Sequence, residues 1–523
     1  VLKALEAFGI TLRLGTNVSA IGPAGLTLAT GEEIGSDFTL TVTGARPQGW
    51  LAATGLAHQG GFLTTDAQMR TSDPLIFASG DCAALADRPR PKAGVFAVRA
   101  APILLHNLRA ALSGRPLRRF RPQSDYLKLI SLGAQSAVAA KWGVTLSGPR
   151  FWRLKDRIDR AFMDGFAEYR TMAAAPIPAL ATQGLAAQLG QRPLCGGCGA
   201  KLGPDILSNA LVTLPPPMRA EVLSGTGDDA AILSHGEGLQ VITTDHLRAF
   251  TNDPRLMARL AAIHALGDIW AMGADPQVVL SQVTLPRLGP ELQSRMLAEV
   301  MEEAAAIFRA EGADIVGGHS TEGAELTIGF AVTGTARRAI PKQGTRPGDA
   351  LILTKPLGSG TILAAEMAMA RPDPHMLGEV WAACIDQMSR PQGSAAAILG
   401  PHAHAMTDIT GFGLAGHLME MLTTAATLTL SAIPLMPGAA RLAAMGQASS
   451  LQPANLAAVG GRMTVPDDPR AFLLTDPQTC GGLLAAVPAD TAARLLDELR
   501  RAGHDAAIIG EVTEGPPHLT VIP

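Results

Sequence analysis

The sequence predicts a chain of more than one domain, of the α/β and α+β classes. Its 523 residues exceed what a single hydrophobic core commonly serves. Hydrophobic residues make up 47% and charged residues 17%, ample apolar material for buried sheets and helices. Short β-type runs closed by turns fill the first part, whereas longer helical stretches alternate with strands beyond residue 200. The formal net charge of -3 offers no footing for nucleic acid, and the motifs of nucleic-acid binding are absent. No uninterrupted apolar run reaches the roughly 18 residues that span a bilayer, and membrane contact is not expected. The five cysteines (Cys82, Cys195, Cys198, Cys384 and Cys480) are an odd, sparse set. They argue against a disulfide framework and for a reducing compartment, read as the cytoplasm.

In order, Val1–Phe8 reads as the end of a helix. Ile10–Leu14, Leu26–Ala29 and Phe38–Val42 read as strands. Leu75–Ala83 reads as a buried β run ending in Gly80-Asp81 before a helix. That places a carboxylate at the sheet edge where open α/β sheets bind ligands, although Asp81 reads equally as a helix cap. Phe151–Phe162 is a basic amphipathic stretch, expected as a docked surface helix. Residues 1–171 are taken as one unit, and 172–194, rich in Ala, Pro, Gly and Gln, as a linker. Beyond it, helices are expected at Pro204–Thr213, Arg255–Met272 and Pro290–Glu311, the last with proline at its first position. Strands are expected at Gln240–Thr243, Gln277–Leu285, Ile315–Val316, Leu326–Thr335 and Ala350–Thr354.

The chemistry gathers around Leu194–Pro204, LCGGCGAKLGP. So many glycines predict a backbone that does not pack a core but folds closely over a ligand. Cys198 and Lys201, three residues apart, suggest a nucleophile or anion handler beside a fixed cation, which favours a thiolate. Cys195 and Cys198 have no second Cys or His pair to complete a zinc site, and no flanking βαβ pattern for a redox pair. Downstream lie Gly227–Ala231 (GDDAA), Thr243–Asp245 (TTD), Gly267–Gly273 (GDIWAMG) and Thr407–Gly413 (TDITGFG). Separated acidic points with small neighbours are what Mg²⁺ and a polyphosphate require.

With Gly317–His319, Leu353–Gly358 and Asp476–Gly482, these motifs stand in one order from about Pro193 to the C-terminus. The stretch resembles the selenide, water dikinases, or selenophosphate synthetases. The resemblance implies an aminoimidazole-ribonucleotide-synthetase-like fold. An ATP-binding domain over 195–345 would pair its sheet with a second subunit, and a C-terminal domain would cover 346–523. It implies conversion of ATP, selenide and water to selenophosphate, AMP and phosphate. Cys198 would handle selenium, and Lys201 would neutralise phosphate charge. Asp229, Asp268 and Asp408 would hold Mg²⁺. Thr226, Gly227, Asp228, Asp245, Gly317, Gly318 and His319 would be nucleotide or metal contacts, with Lys201 and Asp268 facing the nucleotide too. A homodimer and a selenium-delivery protein are the partners such a family suggests. A thiamine-monophosphate-kinase-like enzyme would share the acidic cleft but not the Cys-Gly-Ala-Lys flap. A non-enzymatic selenium carrier would not turn over ATP.

Residues 1–171 resemble the C-terminal part of type II NADH dehydrogenase-like flavin oxidoreductases. By that resemblance Asp81 would touch the flavin's ribityl or phosphate region, and Pro91–Arg99 would lie beside the ring. Neither Gly-x-Gly-x-x-Gly fingerprint, for FAD or for NAD, occurs. The chain reads as one missing its beginning, so FAD is expected only with that part present, and this half is expected to be inactive.

Overall fold

The computed structural model describes all residues except 1, 43, 167–175, 187–193, 226 and 371–376. Thr226 and much of the expected linker therefore lie outside the described residues. Contacts divide the chain into two units, Val1–Glu168 and Tyr169–Pro523.

In the first unit, helix Leu2–Ala7 precedes three small three-stranded sheets. The expected strands at Ile10–Leu14 and Phe38–Val42 do not form. Their apolar side chains are exposed, and among the described residues no neighbouring strand bonds to them; Val18–Gly22 instead pairs with Gly25–Leu28. Leu75–Ala83 is likewise not a continuous strand. Gly80–Cys82 is a short 3₁₀ turn, followed by strand Ala83–Leu85. Asp81 is exposed there, and the next helix starts only at Gly94, so Asp81 caps no helix. That helix, Gly94–Leu112, is long and apolar enough to cross a membrane by length and composition, and most of it is not buried within the chain. Buried Asn107 ties it down, donating to the Gln68 and Arg118 carbonyls and accepting from the Arg118 N–H. The amphipathic stretch forms helix Pro149–Asp164 as expected.

In the second unit, the short 3₁₀ turn Gly197–Ala200 and helix α1 (Pro204–Leu211) precede a five-stranded sheet. Its strands are β1 (Ala231–His235), β2 (Gly238–Arg248), β3 (Asp275–Pro286), β4 (Asp314–Gly323) and β5 (Thr327–Ala336), in spatial order β1-β2-β5-β3-β4. Within this sheet only the β3–β4 pair is parallel, and β4 stands at an edge. Helices α2 (Pro254–Ala271) and α3 (Pro290–Ala310) accompany this sheet. Asp253 caps α2 by accepting the Arg255 and Leu256 N–H groups, as its position before Pro254 suits. Nearly every side of α2 is buried, from Met257 to Ala271. A helix apolar all round belongs inside a core, so any polar residue on it needs a reason.

A seven-stranded sheet follows: β6 (Asp349–Leu353), β7 (Ala405–Asp408), β8 (Ala425–Thr429), β9 (Met463–Thr464), β10 (Leu483–Pro488), β11 (Ala507–Thr513) and β12 (Leu519–Ile522). Its order is β7-β10-β6-β11-β8-β12-β9. One core cluster runs from α2 and β2 through β6 and β10, so the two sheets' layers are packed as one body.

Candidate active site

Strand and helix periodicities meet in the cleft. Thr243 and Asp245 are two apart on β2, so both side chains leave the same face about 6.7 Å apart. His264 and Asp268 are four apart on α2, which separates them by about 6 Å along the axis. The spacings match, and two pairs form across the gap. The Thr243 hydroxyl donates to Asp268, and His264 Nε2 lies 3.0 Å from Asp245 Oδ2. Asp408 arrives from the end of β7, and Asp229 from the turn before β1.

Ligand oxygens of Asp229, Asp268 and Asp408 all lie within 4.8 Å of one another. Burial raises Asp268 well above the carboxylate range, and the neighbouring carboxylates of Asp408, Asp245 and Asp229 raise it further. Burial, then Asp229, pushes Asp408 up to about 6. Carboxylates crowded this way repel one another unless a cation joins them. The donor set is all oxygen, and Asp229 Oδ2 is buried without a hydrogen-bond partner among the described residues. Gly267 lacks the methyl that would overlap the Asp408 carboxylate. These residues fit a hard divalent cation.

Three residues near this centre carry no motif and escape a reading by spacing. Lys342 Nζ lies 2.7 Å from Asp229 Oδ1 and 3.2 Å from Glu420 Oε2. Burial would raise Glu420, but His417 and Lys342 outweigh it and hold the carboxyl at about 2. The third is His264. A histidine among alanines and leucines signals nothing in sequence until α2 is known to face the cleft.

The glycine-rich stretch differs from the expectation. Cys195–Gly199 is buried, not an open flap, because its glycines let it sink between two walls. The Cys198 N–H donates to Thr479 Oγ1 at 3.1 Å, and a side chain at Gly196 would strike Phe250. Gly197 has φ +57, a conformation glycine adopts without strain. Cys195 helps to hold the stretch: its N–H donates to Ser450 Oγ, and its sulfur accepts the Ser450 N–H at 3.4 Å. The Cys198 sulfur is wholly buried, 3.2 Å from His264 Nε2. Lys201 Nζ reaches Asp245 Oδ2 at 3.3 Å. Burial would lower Lys201, but Asp245 foremost, with Cys198, Asp268 and Asp408, keeps it above the ordinary lysine range. Burial would raise Asp245, yet Lys201 and His264 hold it well below the usual carboxylate range.

Other expected residues are not brought in. Asp228 is not one of the three clustered carboxylates; it accepts the Asp229 N–H at 2.8 Å, next to Gly227 at φ +115, and with the Lys342 backbone N–H and ammonium also acting on it, it braces the turn that carries Asp229. Gly317, Gly318 and His319 lie exposed on β4, three strand positions from β2, roughly 14 Å across the sheet. Within one chain they do not join the carboxylates.

In the first unit, Asp81 lines a cleft of about 190 Å³ with Phe62, Lys92 and Phe96, and Lys92 Nζ sits 4.1 Å above the Phe62 ring. Sites for drug-sized ligands run to about 300–1,000 Å³. The residues present do not enclose a whole FAD.

Models of known families match in three places. Residues 227–336 match the AIR synthase related protein N-terminal domain, and 346–522 match its C-terminal domain. Residues 1–101 match pyridine nucleotide-disulphide oxidoreductase. The second unit is thus of the AIR synthase-related class, preceded by an oxidoreductase-type region. The chain is 37% identical over 342 residues to a selenide, water dikinase of Myxococcus xanthus, covering 63% of this chain and 95% of that protein. It is 36% identical over 343 residues to that of Rhizobium meliloti, covering 62% and 96%. The chain belongs to the selenide, water dikinase family. Solved structures similar to it include the protein tt0281 from Thermus thermophilus (TM-score 0.47, 19% identity, 62% of this chain and 99% of that one). A thiamine-monophosphate kinase from Stenotrophomonas maltophilia is another (TM-score 0.44, 21% identity, 58% and 92%).

Proposed function

We propose that the carboxylate cleft under the Cys195–Lys201 stretch is where this dikinase makes selenophosphate, AMP and phosphate from ATP, selenide and water. The observation that supports it most is the meeting of Asp229, Asp268 and Asp408 within 4.8 Å, beside a Lys201–Asp245 pair and the Cys198 thiol. Those three carboxylates would hold Mg²⁺, which when bound screens the charge of a triphosphate. Lys201, already anchored through Asp245, places an ammonium where phosphate charge gathers. Cys198 offers a soft sulfur for the selenium substrate, out of bulk water. Phosphorus NMR of the protein with ATP, selenide and Mg²⁺ should show a selenium-coupled phosphorus signal that chelator removes. ATP consumed without that signal would overturn the reading.

We further infer that the protein works as a homodimer through β4. This edge strand runs ten residues with its outer backbone groups unpaired in the sheet, and carries Val316 at 62% exposure. Such edges invite pairing with another chain. Pairing there would also give the exposed Gly317–His319 segment of β4 a role that it lacks within one chain.

A further inference from the structure

His264 is 1% exposed, on a buried helix face that it shares with Leu260, Ala261, Gly267 and the carboxylate of Asp268. Burying an imidazole there costs stability unless its nitrogens are used. Only one nitrogen is. Nε2 lies 3.2 Å from the Cys198 sulfur and 3.0 Å from Asp245 Oδ2, while Nδ1 is buried with no hydrogen-bond partner among the described residues. One N–H faces two acceptors, a sulfur and a carboxylate oxygen. The same oxygen, Asp245 Oδ2, is 3.3 Å from Lys201 Nζ. A continuous chain of polar contacts therefore runs Cys198–His264–Asp245–Lys201. Its two ends both belong to the glycine-rich stretch. The Cys198 backbone is held separately, by the Thr479 hydroxyl. Thr479 sets where the residue sits, which leaves the direction of its sulfur to His264.

We propose that His264 is a positioning residue for the selenium step, its Nε2–H aiming the Cys198 sulfur and joining it to the Asp245–Lys201 pair. The proposal rests on Cys198 being the selenium-handling group. Its consequence is specific. Without the N–H, the thiol loses its one side-chain partner among the described residues. The carboxylates keep other partners: Asp268 its Thr243 hydroxyl, Asp229 its Lys342 and Thr407 contacts, and Asp245, though it loses His264, its Lys201 ammonium. The selenide-dependent rate should fall, and nucleotide affinity should not.

The test compares His264→Leu, which fills the apolar site without a donor, with His264→Gln, whose amide N–H can stand near the place of Nε2. His264→Met, flexible and donor-free, replaces the leucine variant should that one fail to fold. Melting by circular dichroism establishes folding. Selenophosphate formation by phosphorus NMR gives the rate, and a non-hydrolysable ATP analogue gives nucleotide affinity. Iodoacetamide labelling of the Cys198 peptide, read by mass spectrometry, reports the thiol directly. Leucine or methionine should lower kcat at least tenfold, leave analogue Kd within about threefold, and change the Cys198 labelling rate several-fold. Glutamine should recover at least a third of the wild-type rate. The proposal falls if the donor-free variant keeps more than half of wild-type kcat. It also falls if folded glutamine and donor-free variants lose activity equally, or if nucleotide affinity falls along with the rate. Cys198→Ser is run beside them. Full activity in that variant overturns the role of Cys198 itself, whereas an inactive Cys198→Ser with a fully active His264→Leu overturns only the positioning role.

Discussion

At the scale of the residue, the two reactive groups of LCGGCGAK divide the labour by what each touches. Cys198 faces His264, and Lys201 faces Asp245. Replacing Cys198 with serine keeps the shape but exchanges a soft, nucleophilic sulfur for a harder hydroxyl oxygen. Selenophosphate formation should drop by at least a hundredfold while affinity for an ATP analogue stays within about threefold. Replacing Lys201 with alanine removes a positive charge that faces the phosphates and leaves the Asp245 carboxylate with His264 alone, although the ammonium is the largest of the charges that keep it ionised. Nucleotide affinity should therefore fall at least tenfold, well beyond the cysteine change. Equal losses of nucleotide binding in the two variants would show that the stretch acts only as a cover.

At the scale of the element, α2 is both a core helix and one wall of the site, and Gly267 is where those duties conflict. Glycine inside a helix costs about 1 kcal/mol relative to alanine. On propensity alone, Gly267→Ala should stabilise the protein. The added methyl, however, would overlap the Asp408 carboxylate across the cleft. We expect Gly267→Ala to melt no lower than wild type, yet to need at least tenfold more Mg²⁺ for half-maximal ATP turnover. Unchanged metal dependence would mean that Asp408 stands outside the metal site. Gly411 has the same logic on the facing loop, where a Cβ would come within 2.7 Å of the Lys201 stem.

At the scale of the whole molecule, stability should fall as pH rises through neutrality. Asp476 is wholly buried, and burial pushes it up to about 7, against the hydrogen bonds from Thr361 and Gln478. A carboxyl raised on folding binds its proton more tightly in the native state. Its contribution is complete below about pH 4 and is lost as pH climbs through about 7. Denaturant unfolding followed by the fluorescence of the five tryptophans should show a loss on the order of 2–4 kcal/mol between pH 5 and 7.5. Asp476→Asn, neutral throughout, should flatten that fall; an unchanged pH profile would remove Asp476 as its cause. Assembly supplies the second test at this scale. Val316→Arg puts a charge on the exposed β4 edge and should convert a dimer to a monomer in sedimentation velocity, with reduced turnover. A wild-type protein that sediments as a monomer at working concentration would end the dimer proposal.

Local chemistry made much of this chain legible from its sequence. Asp253-Pro254 marks a helix start by capping alone, and the helices at Pro204, Pro254 and Pro290 formed within a few residues of the expected bounds. Acidic motifs among small side chains pointed to Mg²⁺ and a polyphosphate, and the resemblance to the dikinases singled out Asp229, Asp268 and Asp408 within them as the metal ligands. Local pattern failed where no neighbour was supplied: Phe38–Val42 has strand composition but no strand beside it, among the described residues, to share its hydrogen bonds. It failed also for the glycine-rich stretch, whose burial depends on walls contributed by Phe250, Ser450 and Thr479, up to 281 residues away. Only the tertiary structure set His264 and Lys342 in the site and, within one chain, placed Gly317–His319 away from it. Neither lysine nor histidine shows its function by spacing, since what each does depends on which carboxylate or sulfur the packing of β2, α2 and β7 brings within about 3 Å.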